Sequence, residues 1–216
     1  VAQALSDAGK MSDEIQSILN GLSAPPPEVV VSAVKTGDVE APKVESAADA
    51  LATVEVLEHL GLRATVKWPN DVMVEREGEK KIAGILAEYV QQENPVLVVG
   101  MGLNIEWPQQ EDPAPPNSTS LKACGIEKDR FELLIEILKN FEQRLIEISS
   151  EKGTSTFRQA YTAKSSTIGN QVKVQKSDGD IVGKAIDIEE DGSLIIENEN
   201  GTTSITAGDV IHLRKL

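Results

Sequence analysis

Before Ser165, apolar residues recur at helical and at strand spacing in turn; after it only the strand spacing remains. Ser12-Asp13-Glu14, then Ile15, Ile18 and Leu19, then Asn20-Gly21, predicts a short helix within residues 1–23. Ala24-Pro25-Pro26-Pro27 ends it, and Val29 to Val34 reads as a buried strand. From Val44 to Leu60 apolar residues fall at 44, 47, 48, 51, 54, 57 and 60, with Gly61 as the cap. That is the pattern of an amphipathic helix.

Three strand-like stretches follow: Ala64–Trp68, the pair Val72–Val74 and Lys81–Val90, and Val96–Ile105. The links around Glu77-Gly78 and Gln92–Pro95 are a few residues long, whereas a parallel crossover needs a dozen or more. These strands must therefore form an antiparallel meander. A loop rich in Pro and acidic residues runs from Trp107 to Ser118. A second helix is predicted from about Asp129 to Ile148, with apolar residues at 131, 134, 135, 138, 141, 145 and 148.

Beyond Ser165, strands near 171–175, 181–189, 193–198, 202–206 and 209–213 are separated by Asp178-Gly179, Asp191-Gly192 and Asn200-Gly201. These dipeptides are strong hairpin signals. A helix-free stretch of this length predicts a small all-β barrel or sandwich. The expected organisation is an α+β domain over residues 1–164 and a C-terminal β-barrel over 165–216.

Charge narrows the partners. The 216 residues carry 21 Lys and Arg against 35 Asp and Glu, a net charge of −14. Phosphate backbones and anionic lipid surfaces are bound by clustered cations, so neither nucleic acid nor a membrane is the expected partner. Cys124 is the only cysteine, and His59 and His212 are the only histidines. A disulfide framework and a zinc cluster within one chain are thereby excluded. The longest apolar run, Val96 to Leu103, is far too short to span a bilayer, and no signal-peptide pattern opens the chain. A cytoplasmic protein is expected. The chain begins at Val1 and not at Met, so an N-terminally incomplete domain is also expected.

Three short motifs carry candidate chemistry. In Lys67-Trp68-Pro69-Asn70-Asp71 the proline holds Trp68 extended and stops the strand, projecting Asn70 and Asp71 from its end. Strand ends on a rigid sheet are where sites collect, although Pro-Asn-Asp is equally good turn chemistry and Trp68 equally good core. Lys81 opens Ile82-Ala83-Gly84-Ile85-Leu86, where small Ala83 and Gly84 leave room for a ligand; a solvated hairpin tip is the alternative. Val99-Gly100-Met101-Gly102 ends an apolar strand but lacks the third glycine of a dinucleotide loop, and Glu106-Trp107-Pro108 stands where its helix should start. Asn104 either donates its amide into the same space or caps the strand.

Together these motifs, in this order and spacing, resemble the biotin–protein ligases. Thr119-Ser120-Leu121 fits the resemblance, as does the tail from Thr167-Ile168-Gly169 to Ala207-Gly208-Asp209-Val210-Ile211-His212-Leu213-Arg214. The tail is closest to the ligases of high-GC Gram-positive bacteria. The resemblance implies a class II synthetase-like fold of the biotin/lipoate ligase type, with a mixed, mainly antiparallel sheet and a small C-terminal barrel. It implies ATP-dependent formation of biotinyl-5′-AMP and transfer of biotin to a lysine of a biotin carboxyl carrier domain. ATP with Mg2+ would be used, biotin would be the substrate, and no tightly bound protein metal is expected. The match contains no DNA-binding helix-turn-helix, so a monofunctional ligase, monomeric or homodimeric, is implied.

By the same resemblance Lys81 is the catalytic residue, stabilising charge at the attacked α-phosphate. Lys67, Trp68, Asn70, Asp71, Gly84, Gly102, Asn104 and Arg214 would form the substrate site, with Asp71 reaching the magnesium carried by ATP. One element departs from the family. Where its Gly-Arg-Gly-Arg-x-Gly-Arg loop is expected, Gly9 is followed by Lys10-Met11-Ser12-Asp13-Glu14-Ile15, and Ser6 replaces a glutamine. The Ser-Thr-Asn element that binds the ureido group would lie before Val1. Two alternatives follow: a non-catalytic relative that binds a carrier domain or small acid, and a ligase for another acyl group such as lipoate.

Overall fold

Short connections and alternating burial build the first sheet. The computed structural model describes residues 30–34, 43–90, 96–106, 115–150, 153–175, 179–206 and 208–213. β1 (Val30–Val34), β2 (Ala64–Lys67), β3 (Asp71–Glu75), β4 (Glu79–Val90) and β5 (Val96–Leu103) lie in the order β1-β5-β4-β3-β2. Every ladder between them is antiparallel, as the short links require. Cross-strand partners share a face, so Ala64 with Val74, Val66 with Val72, and Ile85 with Met101 line the buried side.

α1 (Lys43–His59) packs on that side against β2, β3 and β4. It differs from the amphipathic helix expected: Ala50, Ala52 and Val56, outside the apolar stripe, are buried as deeply as Leu51 and Val54. α2 (Arg130–Ile148) covers its outer side, so α1 is buried nearly all round, polar Asp49 and Thr53 included, and its small alanines allow close approach. Asp129 caps α2, accepting from the backbone N–H groups of Phe131 at 2.9 Å and Glu132 at 3.2 Å. Leu133, Ile137 and Phe141 form the buried stripe of α2.

The sequence pattern missed α3 (Gly153–Lys164), a polar helix whose only large apolar residues, Phe157 and Tyr161, lie one helical turn apart. Gly153 is required at its start, because a Cβ there would lie 1.8 Å from the Glu147 carbonyl oxygen at the end of α2. The short helix expected within residues 1–23 lies outside the described residues.

The second sheet comprises β6 (Gln171–Gln175), β7 (Ile181–Ile188), β8 (Leu194–Asn198), β9 (Gly201–Ile205) and β10 (Asp209–His212). Its antiparallel order is β10-β6-β7-β8-β9. The hairpin signals placed the turns correctly: Gly192 and Gly201 have φ of +82° and +108°. Among the described residues the expected closed barrel does not form. β9 and β10 remain the two edges among the described residues, and β9 buries only Ile205. Dipeptide turns determine which strands are neighbours; closure also needs the end strands to meet, which local sequence does not encode.

The chain joins the two sheets through a stitched connection. Ser165 forms a parallel bridge with Val66, and the Ser166 N–H donates to the Val66 carbonyl at 2.9 Å. Buried residues of both sheets and all three helices form one continuous cluster.

Candidate functional site

The side of the first sheet away from α1 carries a row of four residues, one from each of four strands. Lys67 on β2 is opposite Asp71 on β3, Asp71 opposite Gly84 on β4, and Gly84 opposite Gly102 on β5. Two charged side chains thus face two positions without any. A Cβ on Gly102 would meet nothing nearer than the Gly84 carbonyl at 4.0 Å, so the glycine end of the row is an open slot.

Lys81 reaches this row through a β-bulge. Val72 pairs with Ala83 but Met73 pairs with Lys81, which leaves Ile82 as the extra residue. The bulge returns Lys81 to the open face while Ile82 and Ala83 both stay buried. Its ammonium lies 2.5 Å from Asp71 Oδ1. Gly84 makes this possible, because a Cβ there would come within 3.2 Å of both Cε and Nζ of Lys81.

The backbone of Lys81 is held as firmly. Its N–H donates to the Asn117 carbonyl at 2.8 Å, and its own carbonyl accepts from Thr119 N–H at 2.9 Å. Asn104 braces the same segment: its Nδ2 donates to the Thr119 carbonyl at 3.1 Å, and its carbonyl accepts from Leu121 N–H at 2.9 Å. Asn70 exchanges two hydrogen bonds with Ile85, through Nδ2 at 2.7 Å and its carbonyl at 2.9 Å. Both asparagines therefore fix backbone beside the slot, each through one side-chain amide proton.

Trp68 takes a core position. It is 3% exposed, its backbone N–H donates to Thr167 Oγ1 at 3.0 Å, and its indole N–H donates to the Gly192 carbonyl at 2.9 Å. The peptide bond to Pro69 is cis. Beside it lies a cavity of about 130 Å³ lined by Trp68, Pro69, Asn70, Leu86, Tyr161 and Gly192. The Tyr161 hydroxyl is buried without a hydrogen-bond partner among the described residues, and burial pushes its pKa up.

Arg214, Gly9 and Lys10 lie outside the described residues, so the structure brings together Lys67, Asp71, Lys81, Gly84 and Gly102, flanked by Asn70 and Asn104. Motif reading missed a cluster at the back of the site. Glu79 Oε2 lies 3.5 Å from His212 Nδ1, and His212 Nε2 lies 3.5 Å from Thr167 Oγ1. The hydrogen bond from His212 holds the Glu79 carboxyl below its ordinary range, against the opposing effect of burial; Lys67 adds in the same direction. No spacing rule links residues 79, 167 and 212, so only the fold reveals that they meet.

Known proteins give this geometry a context. Residues 34–106 match the biotin/lipoate A/B protein ligase family, and residues 167–213 match the biotin protein ligase C-terminal domain. The chain is 40% identical over 152 residues to a biotin–[acetyl-CoA-carboxylase] ligase of Mycobacterium tuberculosis, covering 69% of this chain and 53% of that protein. It is 30% identical over 169 residues to the bifunctional ligase/repressor BirA of Bacillus subtilis, covering 74% of this chain and 50% of BirA. The chain thus spans about half the length of the curated relatives it matches. A biotin protein ligase from Aquifex aeolicus, solved with biotin and ATP, superposes with a TM-score of 0.70 at 27% identity, over 87% of this chain and 78% of that one. Strands β2 to β5 backed by α1, the lysine set by a bulge over paired glycines, and the second sheet behind Trp68 all lie in the matched regions, and the chain belongs to the biotin protein ligase family.

Proposed function

We propose that this chain is the adenylating unit of an ATP-dependent biotin–protein ligase, with Lys81 at its chemical centre. The observation that carries the reading is the row Lys67–Asp71–Gly84–Gly102 with Lys81 delivered into it. A slot without side chains, ending at the Lys81 ammonium, suits a slender acid whose carboxylate must meet a nucleotide phosphate. Relatives solved with biotin and ATP support the same assignment.

In this reading a biotin carboxylate oxygen attacks the α-phosphate of ATP, the bond to the bridging oxygen breaks, and pyrophosphate leaves. Lys81 sits where negative charge gathers on the α-phosphate, and a preorganised cation there acts without reorganisation cost. Asp71 keeps that ammonium oriented until substrate arrives. Lys67 neutralises the departing phosphates, and Asn70 and Asn104 offer amide groups to the nucleotide. Trp68 holds the segment carrying Lys67 and Asp71 in place, and Arg214 contributes from the C-terminus. A single carboxylate already engaged by Lys81 suits magnesium delivered as MgATP, that is, as substrate. The amine of a carrier-domain lysine then attacks the mixed anhydride, and AMP leaves. We place the boundary between the ligase unit and the second sheet at 164/165.

The test is mass spectrometry of a biotin carboxyl carrier domain incubated with the chain, MgATP and biotin, with lipoate in a parallel reaction. Addition of one biotinyl group supports the proposal. Lipoyl addition alone would move the assignment to another acyl ligase. No modification in either reaction, with the carrier domain still bound, would favour the non-catalytic reading that Lys10-Met11-Ser12-Asp13-Glu14 motivates.

A further inference from the structure

The Lys67–Asp71 segment is fastened at Trp68, and both fasteners come from the second-sheet side of the molecule: Thr167 for the backbone N–H and Gly192 for the indole N–H. Thr167 is fully buried and sits on the connection between the sheets. Its hydroxyl also faces His212 Nε2 at 3.5 Å, and the opposite ring nitrogen faces Glu79 at 3.5 Å.

The chemistry of these groups gives the chain of contacts a direction. An ionised carboxylate only accepts hydrogen bonds, so Nδ1 of His212 carries the proton that faces Glu79, and in the neutral ring this fixes the tautomer. Nε2 is then an acceptor and receives a hydrogen bond from the Thr167 hydroxyl. The oxygen lone pairs of Thr167 are thereby turned toward the Trp68 N–H. Glu79 opens β4, two residues before Lys81, whereas His212 ends β10, so the relay starts and finishes on the first sheet but passes through the second.

Resting on the ligase reading, we propose that Thr167, oriented by His212 and Glu79, is a positioning residue that sets the placement of Lys67 and Asp71, and through Asp71 that of Lys81. The second sheet is then part of the adenylating machinery although none of these three residues touches substrate. Side chains that act as a unit lose function non-additively, whereas independent packing contributions add.

The experiment is a double-mutant cycle on Glu79→Gln and Thr167→Val, with Thr167→Ser as the conservative control. Pyrophosphate exchange and the emission of Trp68 are both read, the latter in a Trp107→Phe background that leaves Trp68 as the sole tryptophan. Thr167→Val is expected to lower kcat/KM for ATP about tenfold and Thr167→Ser to restore it. Glu79→Gln alone should lose about threefold to tenfold, and nothing more once Thr167 is Val. The Trp68 emission shifts should be shared and non-additive in the same way. Additive losses, or Trp68 emission unmoved by Glu79→Gln in a folded protein, would overturn the proposal. Absence of exchange in the parent chain would instead count against the ligase reading, and the emission cycle would still decide whether the relay positions Trp68.

Discussion

Lys81 Nζ lies 2.5 Å from Asp71 Oδ1, in space that exists because residue 84 has no side chain. The pair is partly open, with side-chain exposures of 44% and 25%, so its net contribution to folding is small. In the proposed ligase its importance is positional: an ammonium held by a neighbouring carboxylate would be ready to be handed to an incoming phosphate.

Gly84→Ala tests that relationship. The added methyl would lie 3.2 Å from Cε and Nζ of Lys81, whose flexible end must then move. The fold should survive, with a thermal midpoint close to that of the parent, while kcat/KM for exchange falls about tenfold or more. Gly102→Ala meets nothing nearer than 4.0 Å, so it should fold normally and weaken biotin binding without the same loss of kcat.

Packing of α3 onto α2 gives a prediction about stability alone. Gly153→Ala forces a Cβ to within 1.8 Å of the Glu147 carbonyl oxygen, a contact that backbone must relieve. Chemical denaturation should show a loss of roughly 1–3 kcal/mol, the range for overpacked sites. A change below a few tenths of a kcal/mol would mean that α3 does not start against α2.

Asp49, on the buried α1, is 5% exposed, and burial pushes its carboxyl pKa from 3.8 up to about 7. The folded state therefore binds the proton more tightly than the unfolded state. The contribution of Asp49 to stability is therefore full below about pH 4, falls as the pH rises toward 7, and levels off above it. The full difference is on the order of 4 kcal/mol, at 1.36 kcal/mol per pKa unit. Asp49→Asn should flatten that slope in urea melts between pH 5 and pH 8; an unchanged slope would place the titration elsewhere. Glu79 acts oppositely and in a lower window: its lowered pKa contributes stability that is lost as the pH falls through its folded value.

The sequence made the meander legible because links such as Glu77-Gly78 are too short for anything but antiparallel pairing, and the second sheet legible through Asp191-Gly192 and Asn200-Gly201. Lys81, Gly84 and Gly102 were legible as motif positions, but their meeting was not. Delivery of Lys81 to the row depends on a bulge at Ile82 that shifts register by one residue, and nothing local marks it. Trp68 read equally well as core or as ligand contact, and the fold puts it in the core. The open second sheet and the Glu79–His212–Thr167 contacts arise from tertiary packing over long sequence separations, where periodicity carries no information.

The central claim, that Lys81 in this row makes biotinyl-5′-AMP, is tested most directly by biotin-dependent ATP–pyrophosphate exchange in the parent chain and in Lys81→Ala. The account predicts exchange above a metal-only blank in the parent and loss of at least about a hundredfold in the variant, as for removal of a preorganised transition-state charge. Exchange that persists in Lys81→Ala, or a biotinyl-AMP analogue bound equally tightly by both proteins, would contradict it.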